Sequence, residues 1–440
     1  MRAGWLVVVV GAIGCFNPDD PSSSGGTSSG GATTSISMTS PSGSTASSTQ
    51  SGSSGPTATA TAADSSTTDP ATTDTITATT SGPTDSSGVT TSEPIAECGN
   101  DMVEAGEVCF AAAVTLMVGP SPRGIATERI NGDDFDDFAV SISSGSLLTF
   151  LGDGTGAFTQ TVTEDPDPQG WGRVALGAIA DDNVDAIVAE PGNINVIRFR
   201  GFGDGSYSAG TNIGSGGGRM HMVDLDGDDI LELLVGVEFG AAVYRGAPDE
   251  TFTFVGTYGG DGPPNGFALA DYDGDMALDL VVTGSTNTVG FLRGNGDGTF
   301  GTASMLTIVG NGREVVAGDF DADGNNDFAA SSGAMLGVHF GNGDGTFAPP
   351  VEVAAGAVIG AIAAVDVDGD GADDLLCGTT ANALEVFLGA ADQSIADPVS
   401  VPTNVSAGAM DVGDFNGDGA VDVVITNEGD LNIAVVLSNP

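Results

Sequence analysis

From about residue 112 to the end, the chain is written in short apolar runs separated by clusters of Gly, Asp and Asn. One stretch shows the unit. Glu314-Val315-Val316-Ala317-Gly318 leads into a polar loop over 319–327, then Phe328-Ala329-Ala330-Ser331, a Ser-Gly turn, Leu336-Gly337-Val338-His339-Phe340, a second turn over 341–346, and a last run over 351–355. Runs of four to six residues are strands rather than helices, and Gly and Asn at the breaks accept the positive φ that tight hairpins need. Each unit therefore predicts four antiparallel strands. The second turn recurs at the same phase over 152–158, 203–207 and 294–300.

The polar loop carries a stronger signal. The pattern Asp-x-Asp/Asn-x-Asp-x-x-x-Asp/Glu begins at Asp224, Asp271, Asp319, Asp366 and Asp414, and two worn copies upstream end at Asp137 and Asp185. Their ninth-position acids fall at 137, 185, 232, 279, 327, 374 and 422, always 47 or 48 residues apart. Seven equal units of four strands predict an all-β, seven-bladed β-propeller over 112–440, in which each blade buries its faces against its neighbours. The final run, 433–437, is only the third strand of the seventh unit, so the ring must borrow its last strand, and 113–118 is the segment available.

Alternate residues of a tight loop can aim carboxylates inward at a hard cation that takes six to eight oxygens. The donors are Asp224, Asp226, Asp228 and Glu232; Asp271, Asp273, Asp275 and Asp279; Asp319, Asp321, Asp323 and Asp327; Asp366, Asp368, Asp370 and Asp374; and Asp414, Asn416, Asp418 and Asp422. No soft ligand is among them, which disfavours zinc and copper. An EF-hand needs a glutamate at position 12, where this chain has Val235, Val282, Ala330, Cys377 and Ile425. Two carboxylates about 4 Å apart repel by roughly 4 kcal/mol at an effective dielectric near 20, so the loops call for a cation to stay closed. About five structural Ca2+ ions are expected. Position 6 is Asp229 and Met276 where glycine suits the turn, which marks those two loops as strained. In the worn copies Arg129 stands at position 1 above Asp133 and Asp137, and only Asp181 and Asp185 persist in the second, so no ion is expected there. Whether an arginine takes the ion's place is left open.

The run Asp414-Phe415-Asn416-Gly417-Asp418-Gly419-Ala420-Val421-Asp422, followed by Val423-Val424-Ile425, resembles the core of the FG-GAP/VCBS repeat family, found in integrin α-subunits and many bacterial surface proteins. That resemblance implies a calcium-bearing propeller that binds a ligand on the face where the chain enters each inner strand. Arg123 and Arg313 lie six residues before position 1 of their cation loops, Arg219 five and Arg173 four, with Trp171 beside Arg173. A ring of guanidinium groups can grip carboxylates or sulfates by paired hydrogen bonds, or can simply neutralise nearby acids. Both readings stand.

Sixty acids against ten arginines and no lysine set a formal charge of −50, which argues against nucleic acid as a partner. Two histidines, His221 and His339, sit in different units without a nucleophile at triad spacing, so no enzymatic role is expected, although some similar propellers act on polysaccharides. The N-terminus predicts export: Arg2, an apolar stretch over 5–13, then Ala12-Ile13-Gly14-Cys15, which resembles a lipobox with Cys15 as the lipidated residue; plain cleavage and free secretion is the alternative. Residues 1–15 thus form a signal, 16–97 a Ser/Thr/Gly/Pro-rich linker too poor in apolar residues to bury a core, and 98–111 a short loop that an oxidising compartment would bridge through Cys98 and Cys109. Cys377 is left as a buried thiol. The sum predicts a monomeric surface module, on a bacterial outer membrane or cell surface or else secreted, touching membrane only through its lipid. It would recognise a protein or polysaccharide; a lectin for acidic glycans is the alternative.

Overall fold

The structure is a computed structural model that describes residues 108–164, 172–190, 195–259, 264–284 and 286–438. The signal, the linker, Cys15, Cys98 and Trp171 lie outside the described residues. Among the described residues there are 28 strands and no helix, arranged as seven four-stranded antiparallel sheets. Six sheets use four consecutive strands. Blade one, for instance, runs Pro122–Glu128, Asp137–Ile142, Ser146–Gly152, Phe158–Glu164.

The seventh blade closes the ring as the sequence predicts. Its first three strands are Met410–Gly413, Asp422–Thr426 and Asn432–Val436, and its fourth is Val114–Met117 from the other end of the chain, with Val114 opposite Val435 and Met117 opposite Asn432. Ala111 N donates to Leu437 O at 2.8 Å, which carries the seam past the strand's end.

Alternation along each second strand explains how a thin sheet becomes a core. Phe138 and Val140 pack toward blade seven while Ala139 packs toward blade two; likewise Leu375 and Cys377 face blade five and Leu376 faces blade seven. Seven hydrophobic clusters result among the described residues, each shared by two neighbouring blades. Because successive side chains of a strand point to opposite faces, every blade is glued on both sides. Near the axis the inner strands crowd, and a Cβ at Gly124 would lie 2.6 Å from Val174 N of the next blade, so that approach requires glycine.

Polar staples join blades on the face that carries the acid loops. Asp319 N donates to Asp373 Oδ2 at 2.9 Å, Asn326 Nδ2 donates to Asp271 O at 2.8 Å, and Asp414 N donates to Asp136 Oδ2 at 2.9 Å across the seam. Each uses position 8 of one blade's loop to hold position 1 of the preceding blade.

Candidate metal loops and the arginine mouth

Each inner strand begins at one face of the disc and ends in an acid loop at the other, so two candidate sites lie on opposite faces. The loops are built around two acids with fixed tasks. The first folds back over its own loop: Asp366 accepts the amides of Gly369 at 2.7 Å and Gly371 at 3.0 Å, Asp224, Asp271 and Asp414 do the same, and Asp319 accepts those of Asp323 and Gly324. The ninth is fully buried and bridges. Asp374 accepts Val367 N with one oxygen and Gly389 N, at the end of the third strand, with the other. Asp327 and Asp422 repeat this arrangement, and so does Asp137 in the first worn loop; Asp185 in the second holds Gly201 N with one oxygen and the Arg198 guanidinium with the other. The ninth acid is therefore a structural staple even where the rest of the loop has eroded.

Four of the five predicted loops bring donors together. Asp224, Asp226 and Glu232; Asp271, Asp273 and Asp279; Asp319, Asp321 and Asp327; and Asp366, Asp368 and Asp374 each place one carboxylate oxygen within 4.8 Å of the others. The position 5 acids do not join them. Asp228, Asp275, Asp323 and Asp370 instead accept the amide two residues on, at 2.8 to 2.9 Å. In blade seven Asn416 Nδ2 donates to Asp418 at 2.8 Å, so Asp414, Asn416, Asp418 and Asp422 form the weakest set.

A hard cation fits these donors. Glu232 Oε1, Asp226 Oδ1 and Asp273 Oδ1 are buried and accept no hydrogen bond, a cost of about 1–3 kcal/mol each unless a positive ion takes the oxygen. Burial pushes the carboxyls of Asp327 and Asp374 up to about 8 and those of Glu232 and Asp422 up to about 7; a divalent ion beside them would restore the charged form. The strain expected at position 6 is present: Asp229 and Met276 have φ of 66° and 71°, the left-handed region that glycine occupies in the other loops.

The worn loops answer the question about arginine. In blade two, Arg198 Nη2 reaches Asp185 at 2.6 Å and Glu250 at 2.7 Å, while Arg200 Nη2 reaches Asp181 at 2.8 Å, so guanidinium groups stand among the remaining acids. Arg129 in blade one does otherwise. Its Nε pairs with Asp136 at 3.2 Å, outside the loop's donor positions. Further arginines not singled out by spacing reach the loops from the ends of third strands: Arg245 pairs with Asp226 at 3.3 Å and Arg293 with Asp273. The sequence signal is an Arg-Gly pair that closes the third strand at 200–201, 245–246 and 293–294.

On the opposite face, the seven inner strands enclose a channel of about 120 Å³, lined at its mouth by Arg173, Arg219 and Glu314 and deeper by Met220, Met222 and Ala317. Arg219 pairs with Glu314, and Arg173 Nη1 donates to Arg123 O at 3.3 Å. Arg219 chiefly, with burial second, pulls the Arg173 guanidinium down to about 10 against the opposing pull of Glu314 and Glu428. Arg123 Nε is buried without an acceptor, and Arg313 stands exposed. Three of the four predicted rim arginines thus share one electrostatic neighbourhood and the fourth touches it through its carbonyl. Ion pairing accounts for Arg219 and leaves positive charge over.

Inside the channel Asp411 accepts Thr127 N at 2.8 Å and Thr127 Oγ1 at 3.0 Å, across the seam. His221 lines the same wall, whereas His339 is buried, stacked on Phe328 at 4.4 Å and pushed down to about 4 by desolvation, so it stays neutral. Cys377 is free and wholly buried, and desolvation raises its thiol.

A scan against family models matches the FG-GAP-like repeat four times, over 224–282, 271–330, 319–377 and 366–425. No curated protein matches the chain. Among solved structures, a lectin of Agrocybe aegerita described as recognising non-reducing terminal N-acetylglucosamine aligns at 17% identity and TM-score 0.50, covering 76% of this chain and 92% of its own. BBS1N, solved in complex with ARL6DN, aligns at 11% identity and TM-score 0.54, covering 76% and 98%. At such identities the likeness is one of fold. The chain is thus a seven-bladed β-propeller whose residues 224–425 are FG-GAP-like repeats.

Proposed function

We propose that this propeller is a surface recognition module that holds an anionic group of a protein or glycan partner at the arginine mouth, with calcium bracing the opposite face. The observation that carries the reading is the surplus of guanidinium at that mouth: Arg173 is crowded by Arg219, Arg123 Nε lacks an acceptor, and Arg313 is exposed, on a chain whose formal charge is −50. Positive groups kept together against repulsion in so acidic a molecule are explained by a ligand that supplies carboxylate or sulfate oxygens. The fold's neighbours include one lectin and one protein-binding propeller, which supports either kind of partner. The narrower reading, a lectin for acidic glycans, is favoured by the same cluster, because uronic and sulfated sugars offer planar or tetrahedral oxyanions to a guanidinium fork. No catalytic step belongs to this reading.

Export through residues 1–15, lipid attachment at Cys15, a Cys98–Cys109 bridge and a monomeric state complete the proposal. A glycan and protein array probed with the purified protein, in calcium and in chelator, tests the core of it. Binding of acidic ligands that falls at least tenfold in Arg313→Ala and Arg219→Ala is expected; binding untouched by both substitutions would remove the mouth from the reading.

A further inference from the structure

In blades two to six the third strand places one residue opposite the residue after the ninth acid: Phe199, Tyr244, Leu292, His339 and Phe387 pair with Ala186, Leu233, Leu280, Phe328 and Leu375. The next residue along that strand differs between blades. It is Arg200, Arg245 and Arg293 in blades two to four, then Phe340 and Leu388 in blades five and six. In blade two the guanidinium groups stand where carboxylates are missing. In blades three and four the arginine contacts the position 3 acid, Asp226 or Asp273, of a loop that still has a full donor set. In blade five the corresponding acid, Asp321, is held by a neutral amide, Gln393 Nε2, at 2.7 Å.

We infer that Arg245 and Arg293 divide the cation loops into two classes: tight sites in blades five and six, and weak sites in blades three and four where the ion meets a resident guanidinium. The weak loops remain sites. The side chain of Asp273 is 5% exposed and Glu232 is fully buried, and each keeps one oxygen without a hydrogen bond and belongs to its loop's donor triad. The arginine takes the other oxygen of Asp273 and Asp226, so an ion can enter beside it. Entry is opposed by like charge, which at an effective dielectric near 20 and with Arg293 half-exposed weakens affinity on the order of tenfold or more. Each arginine also donates to a carbonyl in the following blade's outer turn, Arg293 to Asp344 O at 2.6 Å and Arg245 to Asp297 O. Without an ion, the guanidinium therefore both satisfies the acid and ties two blades together, the part that Arg200 and Glu250 play permanently in blade two at 3.0 Å.

This inference rests on the calcium part of the proposed function, and calorimetric titration of the chelator-treated full-length protein with calcium chloride separates the two. The wild type is expected to show a tight and a weak phase. Arg245→Gln with Arg293→Gln should tighten the weak phase on the order of tenfold and leave the tight phase in place, while Asp321→Asn with Asp368→Asn should abolish the tight phase and leave the weak one. A wild type that binds no calcium overturns the calcium reading and this one with it. A wild type with two phases that the arginine variant leaves unmoved, or an Asp321/Asp368 variant that loses the weak phase, overturns the division alone, and the second result is independent of whether the arginine variant folds.

Discussion

At the residue scale, the structure turns on carboxylates assigned to unlike tasks. The first and ninth acids hold backbone amides, the third in blades three and four keeps one oxygen without a hydrogen bond, and the fifth caps the adjoining turn. Asp411 belongs to none of the loops. It lies in the channel wall with Thr127 across the seam, and burial pushes its carboxyl up to about 6. Because that value lies above the unfolded one, the ionised carboxylate costs stability above about pH 6, and the cost vanishes below about pH 4, where both states are protonated. Asp411→Asn is expected to stabilise the protein by on the order of 2 kcal/mol at pH 8 and by nothing measurable at pH 4, since an amide oxygen still accepts from Thr127. Urea unfolding at the two pH values checks it; equal differences at both would show that burial of the charge is not the cause.

At the scale of the element, the strand that decides the architecture is among the least buried. Val114–Met117 exposes three of its four residues, yet it pairs along its whole length with Asn432–Val436, and Leu116 packs into the cluster between blades seven and one. Deleting 114–117 leaves an unpaired edge in blade seven and removes that contact, for roughly 3 kcal/mol in lost pairing and burial. A lower melting temperature is expected, with new proteolysis near 432–436. An unchanged digestion pattern would mean that the closure is dispensable. The need for this strand was legible because the seventh repeat is one strand short, a shortage that counting exposes.

At the scale of the whole molecule, seven interfaces of like construction carry the fold, and the acid loops line one rim of it. Blades three to six each hold a donor triad, the loops of blades four, five and six are stapled through position 8, and the loops' own like charges oppose closure. Removing calcium with a chelator is therefore expected to lower the melting temperature by about 5–15 °C, with magnesium restoring less of it than calcium because it demands a tighter octahedral shell. Identical melting curves in calcium and in chelator would show that the loops close without an ion.

The repeat length, the four-strand unit, the number of blades, the borrowed strand and the position of the acid loops come from the chain alone, since period and apolar alternation are local properties that survive without coordinates. The four rim arginines were also legible, because a fixed offset from a repeated loop is a place on a ring. Arg245 and Arg293 were not assigned to the loops: they lie 13 and 14 residues after their ninth acids, and only the antiparallel return of the third strand brings them back to Asp226 and Asp273. The free oxygens of Glu232 and Asp273, the failure of the position 5 acids to join the clusters, and the contact of Asp411 with a residue 284 positions away likewise depend on how strands are brought side by side. Spacing along a strand determines which residues share a face; packing between strands decides which of their oxygens are left without a partner.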